Sequence, residues 1–487
     1  MTADVMFHSD RFPRGTPRLA AMSPKRLSWS RLYREVELYK SAVRLYTKPL
    51  FNGRKAHSSS SDAKSLFDFA RHGLRNLDAI HHRLMQRAFH FREALALHRN
   101  FNGKRRTLYV YPWEERLVSL LLYRLLNRAL DRHFSGSSYA YRWRGFGVDS
   151  CQTSIALTLR QRGLPVHVIK RDISNFFPSI DHDILLEQLR HFVEPDDYLF
   201  ELLRQSIHFS FRDEGESSTA VRGVPFGTAT ACLLANIYLM NLDRRLESIT
   251  GTRFFRYADD LLVLSPDADG QRRAAEIFQS EMRALRLTSN TRHESDLVLT
   301  GANGASGGFR HLGLQFREDG SVGLSRDKFR KIRNLFRFAF RRHGRRFQQR
   351  QSPHSRARLA VDIAQRVLTQ GVRNVAIIDY YLRHVTDEGQ LRQLDQWLAE
   401  EVLSRAFEGG HKKSYFRQLP FRELRKMGLP SLVHRRRLIR HGHIESSFFV
   451  WKSRQTNPRY GGRAARPLPS EAPVFSQSPE AVAKSTW

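Results

Sequence analysis

Residues 254–264 read FFRYADDLLVL, two apolar runs on either side of a pair of acids. Apolar and aromatic residues that flank a short polar step predict a β-hairpin with Asp259 and Asp260 at its tip. Like charges between two apolar strands cost several kcal/mol unless a cation neutralises them. An ordinary Asp-Asp turn in solvent is the alternative, and the pair alone leaves it open.

A single acid upstream ends another short β-rich run. Residues 167–172 read HVIKRD, and an acid at the end of a strand can face a cleft while the apolar residues anchor it. The alternative interpretation is a helix N-cap. That suits Ser179 or Asp181, which precede an apolar stretch, better than Asp172, because a Phe-Phe-Pro turn follows Asp172.

The strand-end acid and the hairpin pair can converge on one side of a sheet. Hard oxygen ligands of this kind suit Mg²⁺, which keeps waters and takes substrate phosphates. Two such ions about 3.5–4 Å apart stabilise both the attacking and the leaving oxygens of an in-line phosphoryl displacement. The two segments together therefore indicate a carboxylate centre for phosphoryl transfer.

The charge balance points to a polyanionic partner. The 487 residues include 81 Lys and Arg against 48 Asp and Glu, a net charge of +33, with a pI near 10.9. Nucleic acid is the first candidate; an anionic membrane surface is the second, but it explains none of the acids. No run of 18 apolar residues and no secretory signal is visible, so we expect no membrane partner. Cys151 and Cys232 form no C-x-x-C pair, which predicts a reduced, cytoplasmic protein without a thiolate zinc site.

Composition and periodicity divide the chain into segments. Strands alternate with helices in the middle of the sequence, the pattern of an α+β domain. The region before it is mostly helical between residues 66 and 135, with one short strand at 107–110, and the region after it is helical and basic. The predicted segments are a basic N-terminal extension at 1–65, a first domain at 66–165, the α+β domain at 166–324, a helical basic region at 325–451 and a mostly disordered tail at 452–487.

Several motifs, in order along the chain, resemble those of reverse transcriptases. Residues 257–260 match the Y-x-D-D box, and Asp172 with the aromatic Phe177 resembles the first catalytic motif. The other resembling segments are 103–112, 138–142, 222–227 with 233–239, 311–314, 378–381, 394–397, 421–424 and 428–432. The last of these look like the thumb and maturase-like region of bacterial group II intron enzymes. The resemblance implies a right-hand polymerase: fingers at 66–165, a palm with an antiparallel sheet and packed helices, and a helical thumb.

The resemblance also implies roles for particular residues. Asp172, Asp259 and Asp260 would be catalytic, and two Mg²⁺ ions, with Mn²⁺ as a substitute, would be held by Asp172, Ile173 and Asp259. The implied nucleotide-binding residues are Lys104, Arg106, Phe177, Phe226 and Gly227. The implied template- and primer-binding residues are Tyr257, Leu312, Gly313, Arg333, Arg337 and Arg341.

Residue chemistry supports some of these roles and leaves alternatives. Lys104 and Arg106 lie two apart near the start of a strand, so both could clamp a triphosphate; a solvated basic loop is the alternative. Phe177 would pack against the incoming sugar and exclude ribonucleotides, or it is a core aromatic. Gly227 permits a close backbone approach to a base pair, or it is a simple turn glycine after Pro225.

A basic helix is predicted after residue 325. Phe329, Ile332, Phe336 and Phe340 recur at helical spacing and predict a core-facing stripe. The other faces carry Lys and Arg without acidic partners at i+4. We therefore interpret the face that holds Arg333, Arg337 and Arg341 as a phosphate-contacting surface rather than a merely solvated one.

Departures from the family pattern shape the functional hypothesis. Phe226 stands where family members usually carry Gln, and diversity-generating retroelement enzymes also lack that Gln. No C-x-x-C pairs follow the thumb, so the zinc-bearing endonuclease domain of mobile introns is not expected. We expect an RNA-directed DNA polymerase that makes cDNA from dNTPs on an RNA template, in bacterial anti-phage defence with a dedicated non-coding RNA. The alternatives are a group II intron-type maturase that only binds RNA, a diversity-generating retroelement enzyme, and an RNA-synthesising polymerase, against which Phe177 argues. A homo-oligomer remains open.

Overall fold

The computed structural model describes residues 26–50, 60–101, 104–142, 146–301, 307–369 and 372–443. The predicted disordered tail, 452–487, lies outside these residues, as does much of the predicted N-terminal extension. In chain order the described helices are α1 Trp29–Leu32, α2 Glu35–Leu50, α3 Leu66–Arg71, α4 Gly73–Met85, α5 Trp113–Leu130, α6 Val148–Gln161, α7 Phe176–Ser179, α8 His182–Arg190, α9 Tyr198–Ile207, α10 Ala229–Tyr238, α11 Met240–Glu247, α12 Ala268–Ala284, α13 Arg326–Arg342, α14 Gly344–Gln348, α15 Pro353–Thr369, α16 Val372–His384, α17 Glu388–Ala406, α18 Tyr415–Gln418, α19 Phe421–Lys426 and α20 Leu432–Arg440.

The strands form three separate sheets. In chain order they are β1 Ala94–Phe101, β2 Lys104–Val110, β3 Val166–Asp172, β4 Ser210–Asp213, β5 Glu216–Thr219, β6 Arg253–Tyr257, β7 Asp260–Ser265, β8 Ser295–Leu299, β9 Gly308–His311, β10 Leu314–Arg317 and β11 Val322–Leu324. The central sheet has the order β6-β7-β3-β8, the N-terminal sheet β2-β1-β4-β5 and the C-terminal sheet β11-β10-β9.

The central sheet is antiparallel throughout, and its inner strand β7 is buried on both faces. Successive residues of a strand point to opposite faces, and β7 follows this rule. Leu261 and Val263 lie in one apolar core with Phe278 of α12, whereas Leu262 and Leu264 lie in a second core. The apolar run predicted from the sequence is thus a strand between two cores, and Asp260 at its start is the residue of β7 that stays partly exposed.

The second core joins the central sheet to the C-terminal region. It contains residues of α6, the hairpin β9–β10, and Ile332, Phe336 and Phe340 of α13. These three side chains are buried as the helical stripe predicted, and Phe329 packs partly buried against the same core. The described part of the N-terminal extension belongs to the first core, where Trp29 packs with residues of α5.

The N-terminal sheet holds more strands than the sequence predicted. Residues 94–101, inside the segment predicted to be mostly helical with one strand at 107–110, form β1, which pairs along its length with β2. Ala and Leu favour helices locally, and the pairing with β2 overrides that preference. Strands β4 and β5 lie inside the predicted α+β segment, yet they extend the N-terminal sheet through a parallel pairing of β1 with β4.

The predicted fold class is confirmed. The chain is α+β, with an antiparallel central sheet packed against helices, a smaller N-terminal sheet and a helical C-terminal region, as in a right-hand polymerase. Among the residues that the structure describes, none of the helices has both the length and the apolar character that crossing a bilayer requires.

Candidate active site

The acids of the Y-x-D-D box lie where β6 turns into β7. Tyr257 pairs with Asp260 as the last pair of the hairpin, so Ala258 and Asp259 form a two-residue loop. Ala258 has a left-handed backbone with φ of 59°, as tight hairpin loops require. We call residues 257–260 the catalytic turn.

Asp172 lies directly beside this turn. It is the last residue of β3 and pairs with Asp260 of β7 across the central sheet. The next residue, Ile173, donates its backbone N–H to the Asp259 carbonyl at 3.3 Å. Asn290 holds Asp172 from the other side, through a side-chain bond of 2.8 Å to a carboxylate oxygen and a backbone bond of 2.7 Å to the carbonyl. The structure thus brings the three predicted acids together at one edge of the sheet.

The electrostatics of this cluster are unfavourable without a cation. Burial raises the pKa of Asp259 to about 6, and the neighbouring charges of Asp172 and Asp260 act in the same direction. Burial acts to raise the pKa of Asp260, but the nearby side chains of His311, Lys170 and His293 bring it below its ordinary value. Buried like charges of this kind cost stability unless a positive charge compensates them.

The cluster has the donor set for a hard divalent cation. One carboxylate oxygen of Asp260 is buried and makes no hydrogen bond within the described part of the chain. Oxygen donors from carboxylates and a backbone are those that Mg²⁺ prefers. Elsewhere in the described residues, His98, Asp213 and Glu214 of the N-terminal sheet bring three ligand atoms within 4.8 Å of one another, but His98 already pairs with Asp213 at 3.0 Å.

Three of the predicted nucleotide-binding side chains, Arg106, Phe177 and Phe226, lie near one another, and Arg106 is close enough to Asp259 for its charge to act there. The rings of Phe177 and Phe226 lie 5.0 Å apart, and the Arg106 guanidinium lies 5.9 Å from the Phe226 ring. Strand β2 approaches the same loop, since Tyr109 donates its N–H to the Phe226 carbonyl at 3.0 Å. A Cβ on Gly227, whose φ is 112°, would lie 3.4 Å from the Tyr109 carbonyl oxygen. Lys104 lies in β2, and its side chain is outside the described part of the structure.

A second hairpin turn approaches the catalytic turn. Residues 311–314, which we call the glycine turn, join β9 to β10 through Leu312 and Gly313, with φ of 47° and 82°. The first residue of the glycine turn, His311, is buried. Its Nδ1 lies 3.3 Å from a carboxylate oxygen of Asp260, without the geometry of a hydrogen bond. Tyr257 packs partly buried against the same core as Leu312. The contact of His311 with Asp260 was not predicted.

The predicted phosphate-contacting face of α13 is partly covered. The guanidinium groups of Arg333 and Arg337 lie 4.8 Å and 5.4 Å from the ring of Trp397 on α17. Arg337 also pairs with the buried Glu401 at 3.2 Å, and its side chain stays 40% exposed. These two arginines thus have partners on α17, which the sequence did not indicate, and their contact with phosphate stays a prediction. Arg341 is exposed.

A buried arginine under the catalytic turn was missed as a functional residue. Arg256 is almost fully buried and makes a bidentate pair with Asp243 at 2.7 and 2.6 Å. The same guanidinium donates to the Ala258 carbonyl at 3.0 Å, to Asn236 at 3.2 Å and to Ser138 at 2.8 Å. A cation inside the apolar run before the acids was the signal in the sequence, since a buried charge requires a partner.

Comparison with known proteins identifies the class of the central part of the chain. Residues 105–294 match the family described as reverse transcriptase (RNA-dependent DNA polymerase). This part of the chain is therefore similar to the domain of RNA-directed DNA polymerases, which are nucleotidyltransferases. The match includes all three acids, Phe177, Phe226 and the catalytic turn, and it ends before the glycine turn.

Two curated proteins are similar over a shorter stretch. The "Uncharacterized 91 kDa protein in cob intron" of Schizosaccharomyces pombe is 26% identical over 148 residues, which are 30% of this chain and 18% of that protein. "Protein YkfC" of Escherichia coli K12 is 28% identical over 147 residues, 30% of this chain and 38% of that protein. The chain thus covers less than two thirds of the length of either relative.

Solved telomerase structures are also similar to the chain. The telomerase of Candida albicans, in complex with a TWJ fragment of telomeric RNA, aligns at 12% identity and a TM-score of 0.42, over 71% of this chain and 67% of that one. Apo telomerase of Candida tropicalis aligns at 12% identity and a TM-score of 0.43, over 74% and 67%.

Proposed function

We propose that this chain is a reverse transcriptase that extends a primer on an RNA template by two-metal nucleotidyl transfer. The observation that carries the proposal is the meeting of Asp172, Asp259 and Asp260 at one edge of the central sheet, within the segment that matches the family. Asp172, Asp259 and the backbone of Ile173 would hold two Mg²⁺ ions, for which Mn²⁺ can substitute. When bound, such ions neutralise charge on the attacking and leaving oxygens.

The residues around the acids would place the nucleotide. Arg106 and Lys104, two residues apart on β2, would bind the triphosphate, and the influence of the Arg106 charge on Asp259 supports this role. Phe177, held against Phe226 at 5.0 Å, would lie against the sugar. Gly227 would let the backbone approach the nascent base pair, because nothing larger than hydrogen projects there.

The rest of the fold would hold primer and template. The glycine turn, with Leu312 and Gly313, and Tyr257 lie next to the acids, where a primer end must sit. Arg341 presents the exposed charge of α13 to the template, and Arg333 and Arg337 would contribute from their positions against Trp397. On this basis the proposed parts are fingers at 66–165, palm at 166–324 and thumb at 325–451, with β4 and β5 assigned to the fingers sheet.

Primer extension by the full chain tests the proposal. A DNA primer on an RNA template is supplied with dNTPs or rNTPs in Mg²⁺ or Mn²⁺. We expect dNTP addition that is lost in Asp172→Ala and kept in Asp183→Ala, whose acid is exposed on α8. RNA binding without extension would support a maturase-type protein instead, and preference for rNTPs would support an RNA-synthesising polymerase.

The same assay tests the role proposed for Phe177. A packed ring leaves little room for a 2′-hydroxyl, and overlap in a dense site costs about 1–3 kcal/mol. Phe177→Ala should therefore raise the ratio of kcat/KM for rNTPs to that for dNTPs by roughly ten- to a hundred-fold. An unchanged ratio would make Phe177 a core aromatic and place sugar selection elsewhere.

The biological setting belongs to the proposal as well. We infer a cytoplasmic bacterial enzyme that acts in anti-phage defence with a dedicated non-coding RNA; Phe226, in place of the usual Gln, supports an enzyme outside ordinary mobile introns. Sequencing of the RNA and cDNA that copurify with the chain identifies the template.

Phage plating on cells with the native locus, wild type or Asp172→Ala, tests the role in defence. Equal plaque counts for the two across a broad panel of phages would contradict that role. Scattered errors in the cDNA would favour a diversity-generating enzyme.

A further inference from the structure

A buried glutamine connects the glycine turn to the C-terminal helices. Gln152, on α6, is almost fully buried. Its Nε2 donates to the carbonyl of Leu312 at 2.9 Å, and its Oε1 accepts from the hydroxyl of Tyr380 on α16 at 2.7 Å. We call these three groups the Gln152 bridge. They are close in space although the three residues are far apart in the chain.

An amide suits this position. The glutamine side chain both donates and accepts, whereas an ionised carboxylate only accepts and a hydrocarbon does neither. Burial raises the pKa of Tyr380 well above its ordinary value, so its hydroxyl stays protonated and can donate. A replacement that cannot both donate and accept leaves at least one buried polar group without its partner, which is costly in a low-dielectric interior.

A second contact fixes the same two helices one turn away. Asp149 on α6 pairs with His384 at the end of α16, and Arg383 lies 3.5 Å from the same carboxylate. Because α6 and α16 are attached at two points, the Tyr380 hydroxyl has a defined position relative to Gln152. Displacement of α16 would therefore move Gln152 or break its bond.

The other end of the bridge, Leu312, directly follows His311, whose ring lies near Asp260. Leu312 has a left-handed backbone, with φ of 47°, which a bulky residue adopts only where its surroundings hold it. The preceding side chain, His311, is buried 3.3 Å from Asp260. Close-packed interiors transmit displacements rather than absorb them, so the position of the Leu312 carbonyl affects the environment of Asp260.

We propose that Gln152 is a positioning residue: through the Gln152 bridge, the helices that follow residue 325 set the place of the glycine turn against the catalytic turn. This inference rests on the proposed function and names the means by which nucleic acid held by the C-terminal helices affects the geometry at Asp260. Gln152 acts through Leu312 and His311 and touches no reacting atom itself.

The test uses Tyr380→Phe, which removes a single oxygen, and Gln152→Leu, each in the full chain. The matched control is Tyr381→Phe, the neighbouring buried tyrosine, which does not contact Gln152 through any bond in the described structure. Backbone hydrogen exchange over residues 308–317 should become roughly ten-fold faster in both bridge variants and stay unchanged in the control. Single-turnover extension should slow by roughly ten-fold, with the KM for dNTP unchanged.

A double variant decides whether the residues act together. Because both substitutions break the same connection, Gln152→Leu with Tyr380→Phe should be no slower in extension than Gln152→Leu alone. Additive losses of extension rate in the double variant would overturn the proposal, and so would unchanged hydrogen exchange over residues 308–317 in Tyr380→Phe. If Gln152→Leu does not fold, the measurements on Tyr380→Phe still test the proposal. If the wild type extends no primer, the proposed function fails, and the exchange measurement still decides whether the bridge holds the glycine turn.

Discussion

The catalytic turn and the glycine turn have the same type of two-residue loop but carry different second residues. In each, two residues join antiparallel strands, and the first of them is left-handed, Ala258 in one and Leu312 in the other. The second residue differs: Asp259 carries a half-buried carboxylate, whereas Gly313 has no side chain and a φ of 82°. Two loops of the same length thus differ in function: the catalytic turn positions a carboxylate, whereas the glycine turn contributes only its backbone conformation at this position.

The supports beneath the two turns differ in the same way. The carbonyl of Ala258 accepts from the guanidinium of Arg256, whose own charge is balanced by buried Asp243. The carbonyl of Leu312 accepts from the neutral amide of Gln152. A charged network holds the turn that carries charge, and a neutral one holds the other. The comparison predicts that substitutions in the catalytic turn separate activity from stability, and those in the glycine turn change both together.

The largest effect is expected from Asp259→Asn. This change removes a metal-binding charge from the proposed centre and should lower primer extension by at least about a thousand-fold, since several kcal/mol of transition-state stabilisation depend on the ions. The raised pKa of Asp259 means that its ionised form opposes folding near neutral pH, so removal of the charge should leave the melting temperature unchanged or raise it. Extension rates and melting curves are measured without and with Mg²⁺.

Asp183→Asn is the matched control, because its acid is exposed on α8 and close to Asp172 in the sequence. Asp183→Asn should change neither the rate of primer extension nor the melting temperature. Unchanged extension by Asp259→Asn would refute the proposed centre, and a sharp fall in its melting temperature would make Asp259 a structural residue.

The next effect concerns the support of the catalytic turn. Arg256→Met should lower the free energy of unfolding by about 3–5 kcal/mol, because it leaves the buried carboxylate of Asp243 without its partner. Equilibrium unfolding in urea measures this difference in the free energy of unfolding. Arg272→Met is the control, since Arg272 is mostly exposed in a surface pair and should cost no more than about 1 kcal/mol. Equal values for the two variants would show that the network under the turn contributes no particular stability.

Local patterns in the sequence carry enough information for the parts of the site that lie on single elements. The apolar runs around Asp259 and Asp260 predict the hairpin, and the position of Asp172 at the end of a strand is readable in the same way. The stripe that includes Phe336 follows from helical spacing. The positions of these side chains depend on periodicity within one strand or helix, so the sequence determines them directly.

Contacts between distant segments were not predictable. Arg333 and Arg337 look like free cations because their partners, Trp397 and Glu401, come from another helix. The contact of His311 with an acid likewise depends on how two hairpins pack. Spacing in the sequence determines on which face of a helix or strand a residue lies. Which residues of other elements pack on that face depends on the tertiary fold.

A smaller effect is expected in the glycine turn. Gly313→Ala puts a side chain at a φ of 82°, and its Cβ would lie 2.7 Å from the Lys328 side chain, which is flexible enough to move. The backbone penalty of about 1–2 kcal/mol remains, and extension should fall by roughly ten-fold because the turn lies beside the acids. Gly215→Ala, at a φ of 102° with open space around it in the N-terminal sheet, should cost similar stability without loss of extension. If both variants keep full extension, the glycine turn does not act on the centre.

The smallest effect is expected from Ala258→Gly, which asks whether the left-handed backbone of the catalytic turn is itself used. Glycine relieves a cost of about 1–2 kcal/mol, but it gives the unfolded chain more freedom, worth about 0.4–1 kcal/mol in the opposite direction. The free energy of unfolding should therefore rise by no more than about 1.6 kcal/mol. The carbonyl that accepts from Arg256 is retained, so extension should stay within roughly three-fold of wild type. Ala63→Gly is the matched control, because Ala63 has nearly the same backbone, with φ of 61°, and is exposed near the N-terminus of α3. If the two variants gain equal stability and Ala258→Gly alone loses more than ten-fold in extension, strain in the catalytic turn positions Asp259, and the two turns differ in backbone as well as in charge.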